Sequence, residues 1–153
     1  MEKVLFGAGC FWGVEETFRK LPGVKKTEVG YSGGITINPT YESVCEGNTN
    51  HAEVVLIEYD KNEISFESLV NKFWNCHDPT TLNRQGPDIG TQYRSIIFYF
   101  DENQKKIAED SKNTHSKKYN LNIITEIIKA KEYYKAEEYH QKYIQKTGMH
   151  CAV

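Results

Sequence analysis

Residues 9–13 read Gly9-Cys10-Phe11-Trp12-Gly13 and lie where an apolar, strand-like run at residues 4–6 changes to helical spacing. A thiol at the start of a helix faces unpaired N–H groups and the positive end of the helix dipole, and both favour the nucleophilic thiolate. Gly9 lets the backbone turn, while the two aromatic rings put apolar surface beside the sulfur. From its position alone, Cys10 fits either a catalytic nucleophile or a small buried cysteine in a strand–helix corner.

Outward from this turn, hydrophobic spacing predicts alternating strands and helices. One helix is indicated by an apolar stripe that Pro22-Gly23 ends, formed by Phe11, Val14, Phe18 and Leu21. Further strands are predicted over 24–31, 52–59, 93–100 and 123–129. Further helices are predicted after the N-cap Ser65, over 102–119 and over 136–146.

The order of these elements is β-α-β, β-α-β and then α-β-α, which predicts an α+β fold. Two split β-α-β units would form a ferredoxin-like core, extended by the C-terminal helix, strand and helix, with helices covering the sheet. The length suits a single catalytic domain over 1–153, in which residues 147–153 are expected to form a mobile tail. The polar loops over 35–50 and 78–92 each lead into a strand, so we expect them to gather near Cys10.

Composition argues against several classes of protein. Nineteen basic and twenty-one acidic side chains give a net charge of −2, so no nucleic-acid partner is indicated. No apolar run approaches the roughly twenty residues that span a bilayer, and the apolar stretch before Gly7 is too short for a signal peptide. We therefore expect a cytoplasmic protein without a membrane partner, whose four cysteines are reactive or structural thiols rather than permanent disulfides. A monomer is the expected oligomeric state, although no feature of the sequence points to it.

Three residues could supply the acid or the hydrogen bonds that a sulfur nucleophile needs. Glu53 begins an apolar strand, where burial would raise its pKa and keep it a proton donor near neutral pH. The alternative for Glu53 is a solvated side chain at a strand end. Tyr41 and Tyr93 fit packing residues with one satisfied hydroxyl, yet several hydroxyls beside a carboxylic acid would suit a polar substrate oxygen.

The histidines and the remaining cysteines leave further alternatives open. His51 and His77 fit structural hydrogen-bonding as well as direct chemistry. A zinc site would draw on thiol–imidazole pairs, which are Cys45 with His51, Cys76 with His77, and His150 with Cys151. No C-x2-C or H-x3-H spacing holds these pairs, so we expect neither a metal nor a cofactor.

Five segments in one order resemble the peptide methionine sulfoxide reductases of the A type. They are the pentad at 9–13, Asn38-Pro39-Thr40-Tyr41 with Val44-Cys45-Glu46-Gly47, His51-Ala52-Glu53-Val54, the run from Phe73-Trp74 through His77-Asp78-Pro79-Thr80, and Asp88-Ile89-Gly90-Thr91-Gln92-Tyr93-Arg94-Ser95. The resemblance covers the chain from Val4 to about Arg94, and Tyr139-His140-Gln141-Lys142-Tyr143 also looks familial. The pentad alone is moderately specific, whereas the five segments together are very hard to obtain by chance.

The resemblance implies a thiol oxidoreductase, a peptide-methionine (S)-S-oxide reductase, that acts on methionine S-sulfoxide, free or in oxidised proteins. Cys10 would attack the sulfoxide sulfur, and a protonated Glu53 would donate to the oxygen. Tyr41 and Tyr93 would hydrogen-bond that same oxygen. Cys10 would be left as a sulfenic acid and would then form an intramolecular disulfide with a second thiol.

The resemblance also implies roles for the residues around this centre. Phe11 and Trp12 would hold the methyl group of the substrate, a contact that suits aromatic faces. Asp88 and His51 resemble residues that position the catalytic group without reacting themselves. Thioredoxin is the reductant that the family suggests.

Two features of this chain bear on how it matches the family. Asn50 stands where the family usually has glycine, a difference expected to alter the loop before His51 but to touch no catalytic role. The resolving cysteine of the family usually lies in a flexible C-terminal tail, and Cys151 is the thiol found there. Cys76 is the alternative resolving thiol, and Cys45 is expected to be a packing residue.

Two competing functions remain open from the sequence. A thiol peroxidase would need a thiolate and a proton donor but not the pocket of Phe11 and Trp12. A redox-sensing or peptide-binding module would oxidise Cys10 without turning over. Turnover of a methyl sulfoxide, compared with turnover of hydrogen peroxide, distinguishes all three.

Overall fold

The structure, a computed structural model, describes residues 1–148. Its strands are β1 (Glu2–Ala8), β2 (Val24–Ser32), β3 (Ala52–Tyr59), β4 (Arg84–Gln85), β5 (Asp88–Ile89), β6 (Ser95–Tyr99), β7 (Glu126–Lys129) and β8 (Tyr133–Lys135). Its α-helices are α1 (Phe11–Arg19), α2 (Tyr41–Cys45), α3 (Phe66–Asn75), α4 (Glu102–Tyr119) and α5 (Tyr143–Thr147). Short 3₁₀ turns occupy Thr91–Tyr93 and Glu138–His140. The expected α+β class is therefore confirmed.

One six-stranded sheet organises the molecule in the order β7-β6-β1-β3-β2-β8. Every neighbouring pair is antiparallel except β6 and β7, which are parallel. Strands β4 and β5 form a separate two-stranded ladder. Because β1 lies between β6 and β3, the turn that follows β1 leaves from the middle of the sheet.

Alternation along the strands divides the buried residues into two clusters. Val4 and Phe6 belong to the larger cluster, which includes apolar residues of α1 and α3, whereas Leu5 belongs to a smaller one. Leu5 pairs with Leu56 on one side and with Phe98 on the other, and both of those side chains join the smaller cluster. The two faces of the sheet are thus filled by alternate residues, as the period of a strand requires.

Local sequence signals set the ends of the longer helices. The Ser65 hydroxyl accepts from the Ser68 N–H at 3.0 Å and so caps α3, as predicted. Asp101 caps α4 by accepting from Gln104 N–H at 2.8 Å, and Asn120 ends that helix in the left-handed conformation at φ +52°. No helix within residues 1–148 is long and apolar enough to cross a membrane.

The predicted helix over 136–146 is wrong. Strand β8 precedes it, and the segment itself holds a 3₁₀ turn followed by the short helix α5. The cause is tertiary: the Gln141 amide accepts from Val29 N–H and donates to Val29 C=O, both at 2.9 Å, and Lys142 is left-handed at φ +52°. The side-chain bonds fix Gln141 on β2, and the left-handed Lys142 interrupts the helix.

Three smaller differences concern the loops and the C-terminus. The strand expected from Tyr93 begins at Ser95, because Tyr93 lies in a 3₁₀ turn. The loops over 35–50 and 78–92 contain α2 and the β4–β5 ladder. Thr147, the first residue of the predicted tail, belongs to α5, and Gly148 caps that helix at φ +71°. Cys151 lies outside the described residues.

Candidate active site

Cys10 is the N-cap residue of α1, directly after β1. Gly9 makes the turn between them at φ +96°, a conformation that side-chain-bearing residues rarely adopt. The Cys10 carbonyl accepts from Val14 N–H at 3.4 Å, which begins the helix, and the residue is half-buried. The thiol therefore stands at the positive end of the helix dipole, as the pentad predicted.

Glu53 faces the start of this helix from strand β3. Its Oε1 accepts from the backbone N–H of Phe11 at 3.2 Å. The first N–H groups of a helix have no partner within the helix, and here the carboxyl of Glu53 pairs with one of them. The side chain is 1% exposed, and Oε2 has no hydrogen-bond partner within residues 1–148. Because Glu53 is buried, it is not the solvated side chain at a strand end that the sequence also allowed.

Several influences act on the pKa of Glu53, and they do not all agree in sign. Burial raises the pKa most, the negative charge of a Cys10 thiolate raises it further, and the charge of Asp88 adds to this. The Phe11 N–H lowers it, because that bond favours the ionised form. The net pKa lies well above the usual range, so Glu53 holds a proton beside the thiol.

Two tyrosine hydroxyls are electrostatically linked to the same carboxyl. Burial raises the pKa of Tyr41 most, and the charges of Cys45 and Glu53 raise it further. Burial likewise raises the pKa of Tyr93, with Glu53 as the largest charge acting on it. Both hydroxyls therefore remain hydrogen-bond donors. Burial also raises the pKa of Asp88, whose charge acts on Glu53 and on Tyr93.

Glu137 positions Tyr41 from the C-terminal part of the chain. Its Oε2 accepts from the Tyr41 N–H at 2.9 Å, and its Oε1 accepts from the Tyr31 hydroxyl at 2.9 Å. Tyr41 is the first residue of α2, and a capping box of Thr40 and Ser43 stabilises the start of this helix. The helix α2 is thus held at its N-terminus, where Tyr41 lies.

An aromatic cluster surrounds the first turn of α1. The Trp12 indole N–H donates to Nδ1 of His140 at 2.9 Å, and the fully buried His140 ring lies 4.3 Å from the Tyr41 ring and 5.3 Å from the Phe11 ring. Tyr143 stacks on Trp12 at 3.9 Å between centroids. Burial lowers the pKa of His140, which keeps the ring neutral with its proton on Nε2.

His51 lies two residues before Glu53 and binds the loop that follows β2. Its Nδ1 accepts from Gly34 N–H at 3.0 Å, so Nε2 carries the proton and donates to the Thr36 carbonyl at 2.8 Å. The side chain is buried. His51 thus orders residues 34–36, which lead towards Tyr41.

The packing role expected for Cys45 is wrong. The residue is exposed, whereas its neighbour Val44 is buried. Burial raises the pKa of the Cys45 thiol most, and the negative charges of Glu53 and Cys10 raise it further. Cys45 is the last residue of α2 and follows Tyr41 by four residues, which is about one helical turn, so it lies beside the site.

Comparison with known proteins decides the family. A model of the peptide methionine sulfoxide reductase family matches residues 2–152. The chain belongs to the peptide methionine sulfoxide reductase family. Peptide methionine sulfoxide reductase of Lactuca sativa is 57% identical over 143 residues, which are 94% of this chain and 55% of that protein. Peptide methionine sulfoxide reductase A4, chloroplastic, of Arabidopsis thaliana is 58% identical over 143 residues, with the same 94% and 55% coverage. The chain thus spans about half the length of these curated relatives.

Solved structures of the methionine sulfoxide reductase family share the fold. Methionine sulfoxide reductase A of Corynebacterium diphtheriae superimposes with a TM-score of 0.94 at 41% identity, covering 99% of this chain and 77% of that one. Mxr1 from Saccharomyces cerevisiae in complex with Trx2 gives a TM-score of 0.67 at 27% identity, covering 93% of this chain and 84% of that one.

Asn50, which stands where the peptide methionine sulfoxide reductase family usually has glycine, has φ +61°. Asparagine is the side-chain-bearing residue that most readily adopts this left-handed conformation. The substitution therefore keeps the turn that leads into His51 and β3.

Sequence reasoning missed two contributors to this reductase-family site. His140 lies in the stretch at residues 139–143 that resembles the family, and no local pattern marks Glu137. Each acts across more than ninety residues, on Trp12 and on Tyr41. The resemblance of residues 139–143 to the family is the feature of the sequence that points to His140.

Proposed function

We propose that this chain reduces methionine S-sulfoxide, free or in proteins, to methionine with Cys10 as the nucleophile. One observation carries the proposal: Phe11, the residue after the thiol, donates its N–H to the buried carboxyl of Glu53. Nucleophile and proton donor therefore meet at the start of α1. Reduction of a sulfoxide needs both, since sulfur must be attacked while its oxygen is protonated. Membership of the family supports the same reaction.

The first step transfers oxygen from the substrate to Cys10. The thiolate attacks the sulfoxide sulfur, and Glu53 gives its proton to the oxygen. The attack forms an S–S bond, which breaks again as the oxygen moves to the Cys10 sulfur. The S–O bond of the substrate breaks and a new S–O bond forms on Cys10, so the substrate becomes a thioether and the cysteine a sulfenic acid. Two electrons pass from Cys10 to the substrate. The Glu53 proton ends on the sulfenic oxygen, and Glu53 regains a proton from solvent in place of the one that Cys10 lost on forming the thiolate, so no proton is consumed overall.

Tyr41 and Tyr93 would bind the sulfoxide oxygen during this step. Their raised pKa values keep both hydroxyls protonated, so each can donate to an oxygen that gains negative charge as the S–O bond lengthens. Their electrostatic link to Glu53 supports a common target. Asp88 and His51 would act indirectly, Asp88 through its charge on Glu53 and His51 through the loop it orders.

Phe11 and Trp12 would hold the methyl group of the substrate. The Trp12 ring is held in one orientation by its bond to His140 and by stacking on Tyr143, which covers one of its two faces. Sulfur and methyl groups pack favourably on such faces. A site for hydrogen peroxide would not need these aromatic side chains next to the thiol.

Recycling would need a second thiol, and we assign this role to Cys151. Its thiol would attack the sulfenic sulfur of Cys10, forming a disulfide and releasing water. Cys76 is a poorer candidate, because its thiol donates to the Phe73 carbonyl at 3.3 Å and burial raises its pKa to about 12. Thioredoxin would then reduce the disulfide, and the structure of Mxr1 with Trx2 supports this partner.

The scaffold of the site is compatible with a ferredoxin-like core. Strands β6, β1, β3 and β2 are neighbours in that order, all antiparallel, which is the order of two interleaved β-α-β units. The single catalytic domain, the mobile tail, the monomeric state and the cytoplasmic location stay predictions.

The stereochemistry of sulfoxide consumption tests this proposal. The protein, with dithiothreitol as reductant, is given equal amounts of the two epimers of methionine sulfoxide, and each is followed by chiral chromatography. We expect the S epimer to disappear over many turnovers while the R epimer remains. Reduction of hydrogen peroxide without reduction of either epimer would contradict the proposal, and so would a single stoichiometric oxidation of Cys10 without turnover.

A further inference from the structure

Gln85 is buried at the end of β4 and has no assigned role. Its side chain is 3% exposed, and the oxygen and the nitrogen of its amide both bind the backbone of the same residue, Asp78. Oε1 accepts from the Asp78 N–H at 2.8 Å, and Nε2 donates to the Asp78 carbonyl at 2.7 Å. The remaining Nε2 hydrogen faces the Arg84 carbonyl at 3.3 Å. Every polar group of this amide is therefore used, and the side chain has one orientation.

The aliphatic stem of Gln85 lies on the turn before Cys10. A Cβ added to Gly9 would stand 2.7 Å from Cγ of Gln85 and 2.9 Å from its Cβ, closer than real carbon atoms approach. Gly9 is therefore in direct contact with the stem. The turn at Gly9 therefore packs on the Gln85 side chain, which its two hydrogen bonds to the Asp78 backbone hold in place.

The same ladder carries Asp88 on its second strand, where it pairs with Gln85. Asp88 is the acidic residue whose charge acts on Glu53 and Tyr93. Gln85 thus links three parts of the site: the Gly9 turn, the strand of Asp88 and the chain that follows α3.

We propose that Gln85 is a positioning residue, which holds the Gly9 turn and thereby fixes the Cys10 sulfur at the start of α1 beside Glu53. The inference rests on the function proposed above. A thiol is activated by a helix start only while it stays near the unpaired N–H groups, since this effect falls off within one turn. A turn free to shift would weaken that activation and would misalign the sulfur with the proton donor.

Gln104 offers a matched control on the other side of the molecule. It is also 3% exposed, and its amide also joins two backbone groups, accepting from Phe100 N–H at 2.8 Å and donating to the Lys3 carbonyl at 2.8 Å. Replacing either glutamine with methionine keeps the length and the stem but removes all three hydrogen bonds of its amide, which for Gln104 include one donated to the Tyr59 hydroxyl at 3.2 Å. The two variants should lose stability to a similar extent.

The test measures the alkylation of Cys10 by iodoacetamide against pH, followed by peptide mapping so that other thiols do not interfere. We expect Gln85→Met to move the midpoint of the Cys10 profile upward and to slow the first turnover with methionine sulfoxide about tenfold. Gln104→Met should leave both unchanged. Equal effects in the two variants, or an unmoved Cys10 profile in Gln85→Met, would overturn the proposal. The alkylation profile keeps its meaning even if no sulfoxide is reduced.

A double-mutant cycle approaches the contact from its other side. Gly9→Ala should slow alkylation of Cys10, because the new methyl group meets the Gln85 stem as well as the strain of φ +96°. Adding Gln85→Ala removes Cγ, the nearer of the two stem carbons, and leaves Cβ, so the double variant should regain part of the lost rate. Strictly additive losses would show that the two residues do not interact and would refute the positioning role.

Discussion

The backbone N–H of Phe11 donates a hydrogen bond of 3.2 Å to Oε1 of Glu53, which lies forty-two residues further along the chain. The bond joins the first residue of a helix to the central strand that packs beneath it. It leaves the second carboxyl oxygen buried without a partner among residues 1–148. A buried oxygen of this kind is costly to keep unpaired, and the oxygen of a substrate would satisfy it.

Replacing Cys10 with serine should abolish sulfoxide reduction, because an alcohol is a poor nucleophile towards sulfur and its alkoxide is not available at neutral pH. The measurement is turnover of methionine S-sulfoxide with dithiothreitol. Circular dichroism serves as the control for an intact fold. Retention of more than about a hundredth of the activity would remove Cys10 from the mechanism, given that general acid–base effects alone supply roughly 10²–10⁴-fold.

Glu53→Gln should slow the first turnover on the order of 10²-fold while preserving the fold, since the amide keeps the shape and can still accept from Phe11 N–H but cannot give up a proton. Rapid-quench measurement of methionine formation in a single turnover isolates this step from recycling. A rate equal to that of the unmodified protein across neutral pH would show that protonation of the oxygen does not depend on Glu53.

The same substitution should alter stability with a defined sign. The pKa of Glu53 is raised on folding, so the folded state binds its proton more tightly than the unfolded chain does. Stability from this group is therefore present below the unfolded pKa of about 4.5 and is lost as pH rises through the folded pKa. We expect Glu53→Gln to unfold at higher urea than the unmodified protein at pH 8, and the difference to shrink at pH 4.

Trp12→Ala should raise KM for methionine sulfoxide several-fold, because a sulfur–aromatic contact is worth about 0.3–1.5 kcal/mol. Trp12→Phe is the matched variant: it keeps an aromatic face but loses the N–H that binds His140. We expect KM in Trp12→Phe to lie between the other two values. If alkylation of Cys10 fell as much as turnover in Trp12→Ala, the residue would be shaping the helix start instead.

Local sequence signals were sufficient for much of the fold and for singling out the candidate residues that the structure brings together. The strand Ala52–Tyr59 and the helix Glu102–Tyr119 have the predicted bounds, because alternation and capping are properties of neighbouring residues. Glu53 could be singled out in the same way, as a carboxyl within an apolar strand. Burial of that strand on both faces then accounts for its raised pKa.

The parts that sequence could not provide depend on contacts between distant segments. Trp12 and His140 are 128 residues apart, and nothing near either residue predicts their hydrogen bond. The C-terminal segment has helical spacing, yet the bonds from Gln141 to Val29 are made instead of a regular helix. Tertiary hydrogen bonds of this kind override local propensity.

His77 should make the protein sensitive to acid. Its Nδ1 donates to the Phe73 carbonyl at 2.7 Å, Nε2 accepts from the Ser95 hydroxyl at 2.7 Å, and burial lowers the pKa to about 4. The unfolded chain takes up this proton near pH 6.5, so the stability from a neutral His77 is present above pH 6.5 and lost as pH falls towards 4. The full loss is about 3 kcal/mol.

Urea unfolding between pH 7 and pH 4 tests the His77 prediction. The free energy of unfolding should fall more steeply in the unmodified protein than in His77→Gln, which cannot titrate in this range. Comparing slopes removes the contribution of other groups, such as Asp78, whose lowered pKa acts in the same direction in both proteins. Parallel curves would mean that His77 keeps an ordinary pKa.

Cys151→Ser should complete one turnover and then stop with a sulfenic acid on Cys10. Thioredoxin-supported cycling should be lost, whereas dithiothreitol, which can attack the sulfenic acid directly, should sustain some activity. Cys76→Ser is the matched control and should cycle normally, because the Cys76 thiol is bound to Phe73 and its raised pKa of about 12 leaves little thiolate.

Peptide mapping after one equivalent of sulfoxide identifies the disulfide. A crosslink from Cys10 to Cys76 or to Cys45, or normal thioredoxin-dependent turnover in Cys151→Ser, would show that another thiol resolves the sulfenic acid.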